Sequence, residues 1–370
     1  MTASLSPVVA LARAFVRIDS RSFVSNLPMA DAVEAALKGF AIERIDYADA
    51  NGVAKRVLVA HRGGEGGIAF AGHMDTVPDT SWTTDPWSGE VADGKLHGLG
   101  SSDMKGPFAA AVTAALALPE SVPVTLLVTT DEEITKQGAL VLAERSQLAR
   151  QVKPKAIVVT EPTGMRPLRG HRSHVHFYVT ATGVQAHSST GRGRNANWDL
   201  LDFLVEMKAL DRRLHEDKSL QDADYDPPFS DFNLILDNHG TAMNVTVAKA
   251  TARIKYRYTA KINPAPVVAA VKAAAERAGL ALAMERDGNP PELPLSHPLV
   301  QLAAEITGEA ALTAPYGTDA AELQVLGPCV VLGPGSIAVA HAPGETVSVA
   351  ELEVAVGTFG RLALEVHRRL

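Results

Sequence analysis

Cysteine is nearly absent: Cys329 is the single thiol in 370 residues. That excludes an intrachain disulfide, argues against a thiolate zinc site, and fits a reducing compartment. Nor is there any run of about 18 apolar residues, so no transmembrane helix is expected. The opening stretch MTASLSPVVALARAFVRIDS has neither a basic start nor an unbroken apolar core. Arg13 and Arg17 interrupt an apolar pattern at helical spacing, which reads as an amphipathic helix rather than a signal peptide. A cytoplasmic location is the expectation. Basic blocks are missing too, and a net charge of −7 argues against nucleic acid or an anionic membrane surface as a partner. What remains is an ordinary globular composition, 46% hydrophobic and 21% charged, with no internal repeat. The chain is longer than one compact core usually holds, so two domains are expected.

The first half alternates β-rich runs with helical stretches. IAFAG (68–72), VPVTLLVTT (122–130) and KAIVVT (155–160) read as buried strands, with the Ala-rich MKGPFAAAVTAALAL (104–118) as a helix between the first two. Strand, helix, strand in this order suggests a parallel sheet covered by helices. Near His171 the pattern changes. HVHFYVTATG (174–183), SDFNLILDN (230–238) and KATARIKYRYTA (249–260) alternate as half-exposed strands do, and residues 194–214 and 264–280 read as helices. This is a small α+β unit, closed by the Pro-rich stretch 287–298. Beyond it, 297–308 reads as a helix, CVVLGPG (329–335) as a strand and turn, and 347–370 as a terminal helix behind a serine cap. The expected organisation is a large α/β domain, residues 1–170 and 287–370, interrupted by an inserted domain, residues 171–286.

Acidic and histidine residues fall where these strands end. His73 and Asp75 follow the first strand in GHMDTVP; Asp103 precedes the Ala-rich helix; Glu132 and Glu133 follow the second strand; Glu161 follows the third; His341 follows the 329–335 segment. Ligands of open α/β sheets bind beyond the carboxyl ends of the strands, so these side chains are expected to converge. Any one of them alone would read as a cap or a turn residue. Together, crowded carboxylates need cations to neutralise them, and two histidines with three carboxylates suit Zn²⁺, Mn²⁺ or Co²⁺. Two metals can share a bridging carboxylate and activate a water between them. Asp75, two residues after His73, is placed to accept the second imidazole N–H.

In that order, GHMDTVP, GSSDMKG, DEE, TEPTG and AHAPGE resemble the M20-type metallopeptidase family, which contains acetylornithine deacetylase, succinyl-diaminopimelate desuccinylase, aminoacylase-1 and the glutamate carboxypeptidases. The resemblance spans essentially the whole chain. It implies an α/β/α catalytic domain with a mixed, mostly parallel sheet, and an inserted ferredoxin-like lid that also makes a homodimer. It implies metal ligands at His73, Asp103 (bridging), Glu133, Glu161 and His341, with Glu132 as the general base and Asp75 beside them. His187 in QAHSS resembles a family histidine that stabilises the oxyanion in the partner subunit's site. Asn244 and Arg257 resemble a pair that contacts substrate, the guanidinium gripping a carboxylate. Gly317, Thr318 and Asp319 in PYGTDA resemble a loop lining the site. Departures are NVTV after Asn244 where NVIP is usual, HRSHVH at the domain entry, and Leu99 where arginine is common.

The expected activity is release of the acyl group from a small N-acyl amino acid by two divalent metals, zinc before cobalt or manganese. Glu161 tilts the resemblance toward deacylases, because peptidases of the family tend to have Asp there. Alternatives are a dipeptidase or carboxypeptidase, a hydrolase of a non-peptide amine, or a non-catalytic relative; intact ligand positions argue against the last.

Overall fold

The computed structural model describes residues 5–370. Two compact units share the chain. One takes the described residues up to Gly170 with Pro291–Thr313 and Thr318–Leu370; the other takes His171–Pro290 with Ala314–Gly317.

In the first unit, three strands are buried on both faces: β3 (Ile68–His73), β6 (Val124–Thr129) and β7 (Ala156–Val159). Continuous apolar runs such as VTLLVT suit the centre of a parallel sheet covered on both sides. β3 pairs in parallel with β6 and β7, and β7 with β14 (Cys329–Val331). An antiparallel hairpin extends the sheet through β1 (Ala41–Ala48) and β2 (Ala54–Arg62), the latter antiparallel to β6. With β8 (Leu168–His171) and β13 (Leu312–Ala314), the order is β1-β2-β6-β3-β7-β14-β8-β13. The sheet is thus mixed, with a parallel centre.

Helix α3 (Lys105–Ala117) is apolar all round and buried against the sheet, as a central helix must be. α1 (Pro7–Val16) and the terminal helix α10 (Val349–Arg369) pack against it, with Phe359 of α10 5.2 Å from the Phe70 ring of β3. Ser348 caps α10 by accepting from the Glu351 N–H. α2 (Leu27–Ala36), α4 (Gln137–Arg145), α5 (Gln147–Val152), α8 (Pro298–Thr307) and α9 (Ala320–Leu323) complete the layers. A three-stranded sheet of β4 (Val91–Ala92), β5 (Lys95–His97) and β15 (Thr346–Ser348) ties the segment before α3 to the segment before α10.

The second unit is an antiparallel sheet in the order β10-β11-β9-β12: β10 (Phe232–Asp237), β11 (Lys249–Tyr258), β9 (Ser173–Thr182) and β12 (Ala281–Arg286). β9 alternates buried and half-buried residues, the signature of one covered face. α6 (Ala196–Glu216) and α7 (Ala265–Arg277) contribute Leu200, Phe203, Met207, Val267 and Val271 to a core with Val175, Phe177, Val179, Ile254 and Tyr256. Among the described residues, no helix is long and apolar enough to cross a membrane.

Candidate metal centre

The site is assembled at the carboxyl ends of the central strands. β3 ends on His73, β6 ends just before Glu132 and Glu133, and β7 ends just before Glu161. Gly72 allows α3 to come close, since a Cβ there would lie 2.5 Å from a Phe108 ring atom. That approach draws the loop before α3, which carries Asp103, against the end of β3. The peptide between Asp103 and Met104 is cis.

Asp103 lies at the centre. Its Oδ1 is 3.2 Å from His73 Nε2 and its Oδ2 is 3.3 Å from His341 Nε2. One carboxylate oxygen for each imidazole is the disposition of a group able to bridge two cations. His341 Nε2 also lies 3.0 Å from Glu133 Oε2, and His73 Nε2 lies 3.8 Å from Glu161 Oε1. Ligand atoms of His73, Asp103 and Glu133 all fall within 4.8 Å of one another, as do those of His73, Glu132 and Glu161.

The electrostatics are those of a site built for cations. Burial pushes the Glu133 carboxyl up to about 8, raises Glu161 well above the usual range, and raises Glu132. Burial beside Glu132 likewise lifts Asp319 to about 8; its Oδ2 accepts from Thr129 Oγ1 at 2.5 Å and its buried Oδ1 has no hydrogen-bond partner. Burial would lift Asp103 too, but the flanking imidazoles of His341 and His73 hold it below its ordinary value. Hydrogen bonds to Asp103 and Glu133 raise His341 to about 11. Burial disfavours the His73 cation, yet Asp103 and Asp75 keep it well above the ordinary range. Buried nitrogen and oxygen donors crowded in this way fit a pair of divalent ions.

His73 Nδ1 lies 3.0 Å from the backbone oxygen of Asp75, an atom that only accepts, so Nδ1 carries the hydrogen and Nε2 faces the cluster. The Asp75 carboxylate, expected to take that hydrogen, is farther away at 3.5 Å. It accepts instead the backbone N–H groups of Glu132 and Glu133, each at 3.2 Å, and the Ser22 hydroxyl at 2.8 Å. The same turn is held from a second side. Asp131, at φ 62°, accepts from the Tyr47 hydroxyl at 2.6 Å and pairs with buried Lys55 at 2.8 Å. Lys55 Nζ also donates to the backbone oxygens of Ser22 and Val24 at 2.7 and 3.0 Å. Sequence reasoning missed Ser22, Tyr47, Lys55 and Asp131, because partners so distant along the chain leave no local spacing. It also missed Glu345, whose only signal was its place inside AHAPGE.

The remaining expected residues have their own settings. Thr318 is buried, its hydroxyl accepting from the Ala320 N–H at 3.1 Å. In the second unit, His187 is exposed, with Nδ1 2.8 Å from Ser189 Oγ, and it lies beside Asn244, whose backbone oxygen accepts from the Ser188 N–H at 3.0 Å. Arg257 pairs with Asp231 at 2.5 Å in a cavity of about 260 Å³ that Arg172, Pro227, Pro315 and Tyr316 also line. Gly317 belongs to the adjoining short segment of that unit.

This geometry has known counterparts. The sequence is 32% identical over 313 residues to an acetylornithine deacetylase of Yersinia pseudotuberculosis serotype O:1b (strain IP 31758), covering 81% of this chain and 79% of that one. The fold matches an M20 family metallo-carboxypeptidase, Sso-CP2 from Sulfolobus solfataricus, with a TM-score of 0.75 at 15% identity over 99% of this chain and 100% of that one. It also matches Bacillus subtilis YXEP, described as a dinuclear metal binding peptidase from the M20 family, with a TM-score of 0.64 at 17% identity over 98% of each chain. Residues 69–365, which carry every side chain of the cluster, fit the description of peptidase family M20/M25/M40. The chain belongs to that family and is a metal-dependent hydrolase of amide bonds.

Proposed function

We propose that this hydrolase releases the acyl group of a small N-acyl amino acid, leaving a free amine, as its deacetylase relatives do by name. The observation that carries the reading is Glu132. It is a half-buried carboxylate at the edge of the cluster, raised by desolvation and 3.9 Å from the Lys136 ammonium. A carboxyl whose burial raises its proton affinity is suited both to take and to return a proton, which is the work of a general base turned acid. Glu161, rather than Asp, supports an acyl substrate over a peptide on the family resemblance described above.

His73, Asp103 and Glu161 would hold one divalent cation, and Asp103, Glu133 and His341 the other; zinc suits these donors, as do cobalt and manganese. When bound, such a pair makes water nucleophilic near neutral pH and polarises an amide carbonyl. Glu132 takes the proton of the attacking water and passes it to the departing nitrogen. Asp75, fixing the Glu132 and Glu133 N–H groups, keeps that carboxylate aimed. His187 donates to the developing oxyanion, a contribution of about 3 kcal/mol for a preorganised donor. Arg257 receives the substrate carboxylate in place of Asp231, with Asn244, Gly317 and Thr318 around the substrate.

Steady-state rates on N-acetylornithine, other N-acetyl amino acids and dipeptides test the substrate class. An N-acyl amino acid is expected to exceed every dipeptide in kcat/KM by on the order of 100-fold, the discrimination a site built around one set of polar contacts can reach. A dipeptide turned over fastest would overturn the acyl reading and leave the amide hydrolase standing.

The His187 role requires a second copy, and the second unit offers a surface for one. β10 is an edge strand with Leu234, Ile235 and Leu236 exposed on consecutive positions, so both of its faces are apolar. Soluble proteins normally blunt such an edge unless it is paired. Trp198, Leu201 and Val205, at helical spacing on α6, are exposed as well, 70%, 47% and 69% respectively. A homodimer through this face is proposed. Ile235→Lys with Val205→Glu is expected to convert two-chain particles to single chains in sedimentation velocity, and to lower turnover with them. A double variant that stays dimeric would locate the interface elsewhere.

A further inference from the structure

Residues 98–104 connect β5 to α3 without belonging to either, and Gly98 and Gly100 give the backbone φ values of 136° and 83°. A loop so irregular, buried, must find partners for its N–H groups outside regular secondary structure. Leu99 and Ser101 donate to the backbone oxygens of Pro86 and Gly98, and three of the others converge on one side chain. Glu345, 1% exposed, accepts the N–H of Ser102 at 2.7 Å and of Asp103 at 2.9 Å on Oε1, and the N–H of Gly100 at 3.2 Å on Oε2. Its backbone oxygen accepts from the Gly98 N–H at 3.1 Å. Immediately afterwards β15 begins, with Thr346 paired to His97. The loop is therefore gripped along its length by one short stretch, and that stretch is the continuation of the segment carrying His341.

We propose that Glu345 is a positioning residue of the metal centre, fixing the backbone of Asp103 and the spacing between Asp103 and His341. The inference rests on the metal-centre reading given above. A carboxyl group is suited to this work because its two oxygens accept from three converging N–H donors. Groups that orient metal ligands in this way typically change metal affinity or activity by about 10–100-fold when altered.

Glu345→Gln keeps the shape and one acceptor oxygen but turns an N–H donor toward one of the loop's own N–H groups. The test is a chelator-competition titration of the metal-free variant and wild type with zinc and cobalt, followed by steady-state kinetics at saturating metal. The expected result is affinity weakened by about 10–100-fold, a kcat lower by a comparable factor with KM within about twofold, and little change in the melting temperature of the metal-free chain. Wild-type affinity and kcat in the folded variant overturn the proposal. So does a lower metal-free melting temperature with unchanged affinity, which would assign Glu345 to folding alone. Should the glutamine variant fail to fold, Glu345→Asp, which retracts the carboxylate by one methylene, is read by the same titration. A wild-type chain that binds no metal would remove the metal-centre reading itself, and the titration shows this before any variant is compared.

Discussion

Glu132→Gln is expected to retain two cations per chain and lose turnover by about two to four orders of magnitude, the share general acid–base catalysis usually supplies. The substitution removes a proton acceptor and almost nothing else. The bonds that place residue 132 run from its backbone N–H to Asp75 and survive any change of side chain. The neighbouring carboxylates gain rather than lose, since the charge of Glu132 is one of the causes that raise Glu133, Glu161 and Asp319. Relieved of it, they bind cations at least as readily. Elemental analysis beside kcat separates the two effects. Full metal with a collapsed kcat assigns the base; full metal with kcat within a few-fold of wild type removes Glu132 from the chemistry and leaves water without a protein base.

What was legible in the sequence follows from which forces act locally. Buried parallel strands announce themselves as apolar runs, and the three central ones lie where IAFAG, VPVTLLVTT and KAIVVT placed them. Because such strands end at the site, the acidic and imidazole residues just past them could be named together with the fold. The β1–β2 hairpin went unread although Asn51–Gly52 sits at its turn, a strong short-range hairpin signal. With it went Tyr47 and Lys55, whose value lies in reaching Asp131 across the sheet. β12, with the sequence ALAMER, lacks β-branched residues and follows an Ala-rich helix, so only pairing with β9 makes it a strand. The Asp75 carboxylate shows the same limit at atomic scale. Proximity to His73 in sequence suggested one partner, while the folded turn supplied two backbone N–H groups that no spacing rule points to.

Chelation is expected to abolish turnover, and the affinity regained on adding zinc is expected to rise steeply with pH. The sign follows from the protons the metal-free cluster holds. Glu133 keeps its proton up to about 8, Glu161 is raised well above the usual range, and His341 stays cationic up to about 11. Each must give up that proton to become a ligand, so binding releases protons and is favoured as they grow scarcer. Every proton released adds about tenfold in affinity per pH unit, the equivalent of about 1.4 kcal/mol. Between pH 6 and 8 the metal-free site is thus expected to gain up to about 100-fold for each such group. Chelator competition at pH 6, 7 and 8 measures the slope, and calorimetry in buffers of different ionisation enthalpy counts the protons. A flat profile would mean that the carboxylates are already ionised without metal. In that case the two imidazoles would be neutral as well, the crowding of Asp103, Glu133 and Glu161 would have to be balanced by the surrounding protein, and the ions would add Lewis acidity to a site whose charge the protein had already settled.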